Sequence, residues 1–230
     1  MKKIIVQNWG LLPYDEALKK QISVFNELLD NKINKKTNSV NYLIFCEHKH
    51  VFTLGRNGDK NNLLINNNEL AQDNIDFFET TRGGDITYHG PGQIVCYPIL
   101  DLDNFFNDIH KYMRLLEEVV IQTLGEYKIL SERLDKFTGV WINKNNVFKK
   151  ICAMGIKCSR WVTMHGFALN IDTNLEYFNK IIPCGLQGKG VTSMQNELQN
   201  NIDKEEIINL IVKNFANIFG AETNNYKKLQ

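Results

Sequence analysis

The sequence lacks the features that mark several large classes of protein. Lys plus Arg number 27 against 26 for Asp plus Glu, so there is no surplus positive charge of the kind that binds nucleic acid electrostatically. No apolar run approaches the ~20 residues that span a bilayer. The segment 1–8 also lacks the apolar stretch of roughly 7–15 residues found in a secretory signal. We therefore expect a cytoplasmic protein that binds neither nucleic acid nor a membrane.

Motifs for metal and redox chemistry are absent as well. There is no CxxC pair and no HExxH, and the cysteines are odd in number: Cys46, Cys96, Cys152, Cys158 and Cys184. These absences predict free thiols, with no disulfide and no metal site. The first four lie in strand-like apolar runs and are expected in the core. Cys184 differs, because Pro183 and Gly185 beside it favour a turn that can present its sulfur to a ligand.

What the sequence does contain is an ordinary globular composition, 43% hydrophobic and 23% charged, undivided by any repeat or linker. We therefore expect a single domain over residues 1–230. Hydrophobic periodicity predicts helices over 13–30, 104–124 and 204–219. The first helix is expected to bury Tyr14, Leu18, Ile22, Phe25 and Leu29. Strands are predicted over 42–46, 51–54, 75–81, 94–99, 140–142, 147–158 and 161–171. Since strands dominate without βαβ alternation, we expect an α+β fold with a mixed, largely antiparallel sheet and helices packed on it.

The segment 81–93, with the sequence TRGGDITYHGPGQ, departs from ordinary core or surface composition. It places four glycines around an arginine, an aspartate and a histidine, between two predicted strands. Glycines let a backbone approach a ligand closely while exposing N–H donors. The same composition is typical of a glycine-rich hairpin turn. It matches neither the P-loop pattern GxxxxGK[ST] nor GxGxxG.

Lys150 lies in an otherwise apolar predicted strand. Strict alternation along 147–158 puts it on one face with Cys152, Met154, Ile156 and Cys158. Such a lysine either reaches water from the end of the strand or is enclosed by apolar neighbours. Enclosure lowers the pKa of an ammonium and makes it a candidate general base. His165, in the apolar run that follows, is expected to be a hydrogen-bonded core residue.

Three blocks resemble, in the same order, the signature of the octanoyltransferases that begin protein lipoylation. The first is RGGDITYHGPGQ at 82–93, and the second is KICAMG at 150–155. The third is HGFALN at 165–170, which PCG follows at 183–185. Blocks of this length in the right order are not expected by chance, so the resemblance is specific.

The resemblance implies transfer of an octanoyl group from octanoyl-acyl carrier protein to a lysine of lipoyl domains. Such domains occur in 2-oxoacid dehydrogenases and in the glycine cleavage H protein. It implies one catalytic domain with the fold of biotin and lipoate protein ligases and no cofactor, and we expect a monomer. It also implies that Cys184 is the acyl-accepting nucleophile and that Lys150 is paired with it. The implied acyl-substrate pocket comprises Arg82, Gly83, Gly84, Asp85, Ile86, Thr87, Tyr88, His89, Ala153, Met154, Gly155, Gly166, Phe167 and Ala168.

Three other functions are compatible with parts of this pattern. A lipoate or biotin protein ligase on the same fold activates its acid with ATP and needs no cysteine nucleophile. A non-catalytic acyl-binding protein needs the pocket alone. A cysteine hydrolase would release octanoate to water. The presence of both Cys184, in its Pro-Cys-Gly setting, and Lys150 favours the transferase.

Overall fold

The computed structural model describes residues 2–35, 40–182, 189–200 and 202–224, so Cys184 lies outside the described residues. The helices are α1 (Tyr14–Ile33), α2 (Asn67–Gln72), α3 (Ile109–Glu126), α4 (Met194–Leu198) and α5 (Lys204–Phe219). The strands of the first half are β1 (Lys3–Leu12), β2 (Asn41–His48), β3 (Val51–Leu54), β4 (Asp76–Glu79), β5 (Thr87–His89) and β6 (Gln93–Ile99). Those of the second half are β7 (Glu132–Leu134), β8 (Phe137–Lys144), β9 (Val147–Ser159), β10 (Val162–Asn170), β11 (Gly190–Val191) and β12 (Glu222–Thr223).

Two sheets are present in the described residues. The large sheet has the strand order β12-β1-β2-β6-β10-β9-β8-β7, and β11 pairs with β9. In it β1 runs parallel to β2 and β12, β11 runs parallel to β9, and the other neighbours are antiparallel. The small sheet has the order β4-β3-β5. The prediction of an α+β fold with a mixed, largely antiparallel sheet is confirmed.

Helices cover both faces of the large sheet. Along β2 the residues alternate, as a strand requires: Leu43 and Phe45 pack with α3 and α5, and Ile44 and Cys46 pack with α1. A third cluster fills the space between the small sheet and α2. Within the described ranges no helix combines the length and the apolar character that a membrane crossing requires.

The buried face of α1 differs from the predicted one. Ile22 is 43% exposed, while Gln21 is fully buried. Gln21 is inward because its Oε1 accepts a hydrogen bond from the backbone N–H of His165, at 3.3 Å. A buried backbone N–H requires a partner, and at His165 this side chain supplies it. The expectation that Ile22 is buried is therefore wrong.

Candidate active site

A cavity of about 670 Å³ lies where the glycine-rich segment 81–93 meets strands β6, β9 and β10. Its volume is in the range of roughly 300–1,000 Å³ that small-molecule sites occupy. Most of its lining is apolar, with a few polar side chains. The sequence-predicted residues that line it are Arg82, Gly83, Gly84, Asp85, Thr87, His89, Lys150, Ala153, Met154, Gly155, Gly166, Phe167 and Ala168.

The glycine-rich segment docks directly on strand β9. The backbone N–H of Gly83 donates to the carbonyl of Ile156 at 2.8 Å. A Cβ on Gly155 would lie 2.6 Å from the carbonyl oxygen of Gly83, so only glycine permits this approach. The Arg82 side chain is buried and donates to Thr53 Oγ1 at 2.9 Å, which ties the segment to β3 as well. These contacts bring two of the three sequence blocks together.

Three residues of this segment make contacts outside the cavity. Ile86 and Tyr88 alternate with Thr87 and face the core of the small sheet, and neither lines the cavity. Asp85 lines the cavity and also anchors the segment at residues 59–62. Its carboxylate accepts from Asn62 Nδ2 at 2.6 Å and from the N–H of Asp59 at 3.2 Å. The structure therefore places Ile86 and Tyr88 behind the wall and not on its surface.

Lys150 is enclosed at the cavity. It is 8% exposed, and its Nζ lies 4.7 Å from the centre of the Trp141 ring. An ammonium over the face of a tryptophan is stabilised electrostatically. Of the two alternatives that the sequence left open, enclosure is the one found.

The alternation predicted for this strand fails at Lys150. Val140 pairs with Cys152 and Trp141 with Lys150, so Ile151 is an extra residue that forms a β-bulge. Cys152 consequently packs toward α3 and α5, while Lys150 points to the face that carries Trp141. The prediction that Lys150 shares a face with Cys152 is wrong, because a bulge reverses the faces on either side of it.

A chain of buried hydrogen bonds joins the glycine-rich segment to the strand of Lys150. His89 Nδ1 lies 3.1 Å from Gln93 Oε1, and Gln93 Nε2 donates to Asn170 Oδ1 at 2.9 Å. Asn170 Nδ2 donates to the Thr192 carbonyl at 2.9 Å, and the Thr192 N–H donates to the Lys150 carbonyl at 3.0 Å. This chain fixes two walls of the cavity relative to each other.

The same network fixes the tautomer of His89. Gln93 uses its Nε2 to donate to the Tyr88 carbonyl as well, so its Oε1 is the acceptor for the ring. His89 therefore carries its proton on Nδ1 and a lone pair on Nε2. Burial, together with the nearby His48 and Arg82, lowers the pKa of His89 to about 3. The ring is neutral at neutral pH.

Two further buried histidines lie close by. His48 Nδ1 donates to the Leu12 carbonyl at 3.2 Å, and its Nε2 accepts from the Tyr97 hydroxyl at 2.6 Å. Burial lowers the pKa of His48 to about 4 and that of His165 to about 3. His165 is buried as predicted, but it also lines the cavity, and its Nε2 has no hydrogen-bond partner among the described residues. In the described ranges no three His, Cys, Asp or Glu side chains are grouped to hold a metal ion.

Acid is expected to destabilise the fold through these three histidines. Their folded pKa values of about 3 to 4 lie below the ordinary value of 6.5, so the unfolded chain binds more protons as the pH falls below 6.5. At pH 5 each should contribute roughly 2 kcal/mol less to the free energy of unfolding than at pH 7. Urea unfolding at the two pH values measures the difference.

His48→Gln is the control for this pH dependence. The amide keeps a donor and an acceptor but takes up no proton, so the loss of stability between pH 7 and pH 5 should shrink by roughly one third. An unfolding free energy that is equal at both pH values in the unsubstituted protein would contradict the argument.

The cysteines of the described ranges are free thiols. Cys46, Cys96 and Cys152 are buried and Cys158 is half-buried. Burial raises the pKa of all four thiols, which disfavours the nucleophilic thiolate. The expectation of a core position is confirmed for Cys46, Cys96 and Cys152, and Cys158 is partly buried against the same core.

Several cavity-lining residues were not predicted from the sequence. Tyr14 is the first residue of α1 and lies far along the chain from every block, so no local signal marks it. Asn170 ends the HGFALN block, and its polarity in an apolar run was a usable signal. Other lining residues missed by the sequence include Val95, Tyr97, Lys136, Phe178 and Lys189.

Comparisons with known proteins identify the family of this chain. Residues 18–216 match the lipoyl protein ligase A/B catalytic domain. An octanoyltransferase of Christiangramia forsetii is 54% identical over 228 residues, which cover 96% of this chain and 97% of that protein. A second octanoyltransferase, from Flavobacterium johnsoniae, is 51% identical and covers 96% of this chain and 98% of its own length.

Among solved structures, the bi-partite lipoate protein ligase of Thermoplasma acidophilum aligns with a TM-score of 0.75 at 14% identity, over 100% of this chain and 88% of that one. At that identity the likeness shows the fold alone, and it confirms the ligase-type fold. The sequence matches establish the family. This chain belongs to the lipoyl protein ligase A/B catalytic domain family and, within it, to the octanoyltransferases, which are acyltransferases of protein lipoylation.

Proposed function

We propose that this chain, as a single catalytic domain over 1–230, transfers an octanoyl group from octanoyl-acyl carrier protein to a lysine of lipoyl domains. Cys184 carries the group as a thioester, and Lys150 moves the protons. The observation that carries the proposal is an enclosed lysine on the wall of a largely apolar cavity, in a chain of the octanoyltransferase family. A monomer in the cytoplasm suits the proposal.

The described residues on either side of Cys184 support its assignment. Before it, the N–H of Ile182 donates to the carbonyl of Asn62 at 2.8 Å. After it, Gly190 and Val191 pair in parallel with Lys149 and Lys150. The chain therefore runs beside Lys150 seven positions after Cys184. The remaining four cysteines are weak candidates, because burial raises the pKa of each of their thiols.

In the first half-reaction the proton of the Cys184 thiol passes to the amine of Lys150. The thiolate attacks the carbonyl carbon of the octanoyl thioester, the bond to the donor sulfur breaks, and the donor thiolate takes the proton back from Lys150. One thioester replaces another, so this step is close to thermoneutral. The Trp141 ring stabilises the ammonium that exists between the two proton transfers.

In the second half-reaction the amine of the acceptor lysine attacks the octanoyl-Cys184 carbonyl. The carbon–sulfur bond breaks, an amide forms, and Lys150 relays the amine proton to the leaving thiolate of Cys184. Thioester to amide is downhill, which drives transfer without ATP. The two protein partners bind in turn at the same site.

Strand β9 offers a donor for the oxyanion that forms in both steps. The Ile156 carbonyl points away from β10, since it accepts from the N–H of Gly83. Backbone groups of a strand alternate in direction with a period of two residues, so the N–H of Met154 points to the same edge. That edge borders the cavity, and β8 pairs with β9 only as far as Cys152. We therefore assign the Met154 N–H as an oxyanion donor.

The apolar lining accounts for the choice of a medium-length acyl chain. Burial contributes about 0.8 kcal/mol per methylene, so six more methylenes than acetyl are worth several kcal/mol. Ala153, Phe167 and Ala168 supply apolar surface along the cavity. The gain is made once, when the acyl chain binds, and it is kept through both half-reactions because the chain stays in place while the partners exchange.

The test is transfer in the absence of ATP. The purified protein, octanoyl-acyl carrier protein and a lipoyl domain should give an octanoylated domain without nucleotide, with ping-pong kinetics in the two proteins. Product that appears only with ATP and free octanoate would identify a ligase instead. Binding of the donor without product would identify a non-catalytic acyl-binding protein, and octanoate released without an acceptor would identify a hydrolase.

A further inference from the structure

Glu117 on α3 is a carboxylate with no exposed surface. It is 0% exposed, and its Oε2 accepts from Arg114 Nη1 at 2.7 Å and from Arg133 Nε at 3.2 Å. A buried carboxylate is costly unless it is paired and fully hydrogen-bonded. Its second oxygen, Oε1, accepts from the backbone N–H of Gly139 at 3.0 Å. Both oxygens are thus engaged, and one of them binds the chain beside Lys150.

Gly139 lies directly against the Lys150 side chain. Its φ is +116°, a conformation that favours glycine. A Cβ there would lie 2.5 Å from the Cys152 carbonyl oxygen and 3.5 Å from Lys150 Cε. The stem of Lys150 and the bulged part of β9 therefore pack on the backbone of Gly139. A contact that fixes the Gly139 backbone therefore also restricts the Lys150 stem.

We infer that Glu117 is a positioning residue for Lys150. It touches neither substrate nor the reacting atoms, and acts by tying the Gly139 backbone, and with it the bulge in β9, to helix α3. The inference deepens the proposed function, because it rests on Lys150 acting on Cys184. It adds a residue that none of the three sequence blocks contains.

The action that we infer is carried by a hydrogen bond, and the charge of Glu117 is balanced by its ion-pair partners. The negative charge of Glu117 is matched by Arg114 and Arg133, and that of Glu118 by Arg133, so the group of four side chains is neutral. The hydrogen bond to Gly139 is the contact by which Glu117 reaches Lys150.

Glu117→Gln tests the inference with almost no change of shape. The amide turns its oxygen to the two arginines, which are the stronger donors, and leaves its NH₂ against the N–H of Gly139. The anchor is lost without a cavity. Glu118→Gln is the matched control, because it removes an ion pair with Arg133 of 2.7 Å on the same helix and has no hydrogen bond to Gly139. Glu117→Asp, which is too short to reach both partners, serves if the glutamine variant does not fold.

The readout is the apparent pKa of the Cys184 thiol, from the pH dependence of its alkylation by iodoacetamide, with the labelled peptide identified by mass. Two other cations, Lys136 and Lys189, line the same cavity. They are present in every variant, so they do not cause a difference in the thiol pKa between variants.

We expect Glu117→Gln to raise the pKa of the Cys184 thiol toward its value in Lys150→Met, and Glu118→Gln to leave it unchanged. We also expect kcat to fall roughly 10-fold to 100-fold, the scale of a displacement of about 1 Å. KM for octanoyl-acyl carrier protein should change less than about twofold.

The outcomes separate the inference from the proposed function. If Lys150→Met does not raise the pKa of the Cys184 thiol, the pairing of Lys150 with Cys184 is wrong, and the proposed function falls with it. If Lys150→Met raises it but Glu117→Gln and Glu117→Asp behave like Glu118→Gln, the proposed function stands and the positioning role is overturned. A purely structural role lowers the unfolding free energy of the Glu117 variants and leaves the thiol pKa of the folded protein unchanged.

Discussion

Lys150→Met is expected to lower the rate of octanoyl transfer by roughly three orders of magnitude, the middle of the range for a general acid–base group. Methionine matches the length of the buried lysine stem and is apolar, so the packing against Trp141 and Gly139 is kept. What is lost is the amine that exchanges protons with the Cys184 thiol. Both half-reactions depend on that exchange, so both should slow.

The measurement is single-turnover transfer from octanoyl-acyl carrier protein, alongside near-UV circular dichroism to verify the fold. Lys149→Met is the matched control, because Lys149 is the adjacent residue on β9 and is exposed. It pairs with Gly190 of β11. It should retain most of the activity. A near-normal rate in Lys150→Met would remove the lysine from the mechanism and leave the cavity as a binding site only.

The elements that sequence predicts best are those whose boundaries depend on local contacts. Helix α5 spans Lys204–Phe219, as predicted. Its first turn is fixed by the side chain of Asp203, which accepts from the N–H of Glu205 at 2.9 Å. Its end is fixed by Gly220 at a φ of +59°. Both signals lie within a few residues of the boundary that they set, so periodicity and capping suffice.

Strand β1 shows the opposite case. Lys3–Leu12 carries no strong alternation, and the sequence did not predict it as a strand. Its partners are β2 in the first quarter of the chain and β12 near its end, and both pairings are parallel. Parallel neighbours are joined by long crossovers, so the contacts that stabilise this strand are invisible in its own composition.

In the candidate site, too, some features can be predicted from the local sequence and others depend on contacts with distant parts of the chain. Residue types identified Lys150 as unusual, but not the direction in which it points. That direction depends on the bulge at Ile151. Gly139 lies against β9 there and is itself bonded to Glu117 of α3. Likewise the bonds from Gly83 to Ile156 and from Gln93 to Asn170 join segments that are more than seventy residues apart in the chain. The sequence supplies the reactive groups, and non-local hydrogen bonds place them.

Cys184→Ala is expected to lower transfer by roughly a million-fold, the scale seen when a covalent enzyme loses its nucleophile. No other sulfur among the described residues can replace it. Cys46, Cys96 and Cys152 are buried and Cys158 is half-buried, and burial raises the pKa of each of these thiols. Incubation with octanoyl-acyl carrier protein and no acceptor should therefore give one octanoyl adduct per chain in the unsubstituted protein and none in the variant, by intact-mass spectrometry.

Cys158→Ala is the matched control for this loss, because Cys158 is only half-buried and its removal costs the least packing. It should keep both the adduct and the transfer rate. Addition of a lipoyl domain to the isolated adduct should then remove the octanoyl mass from the protein and place it on the domain, which shows that the adduct lies on the reaction path. An octanoyl adduct on the Cys184→Ala protein that still moves to the domain would assign the role of nucleophile to another residue.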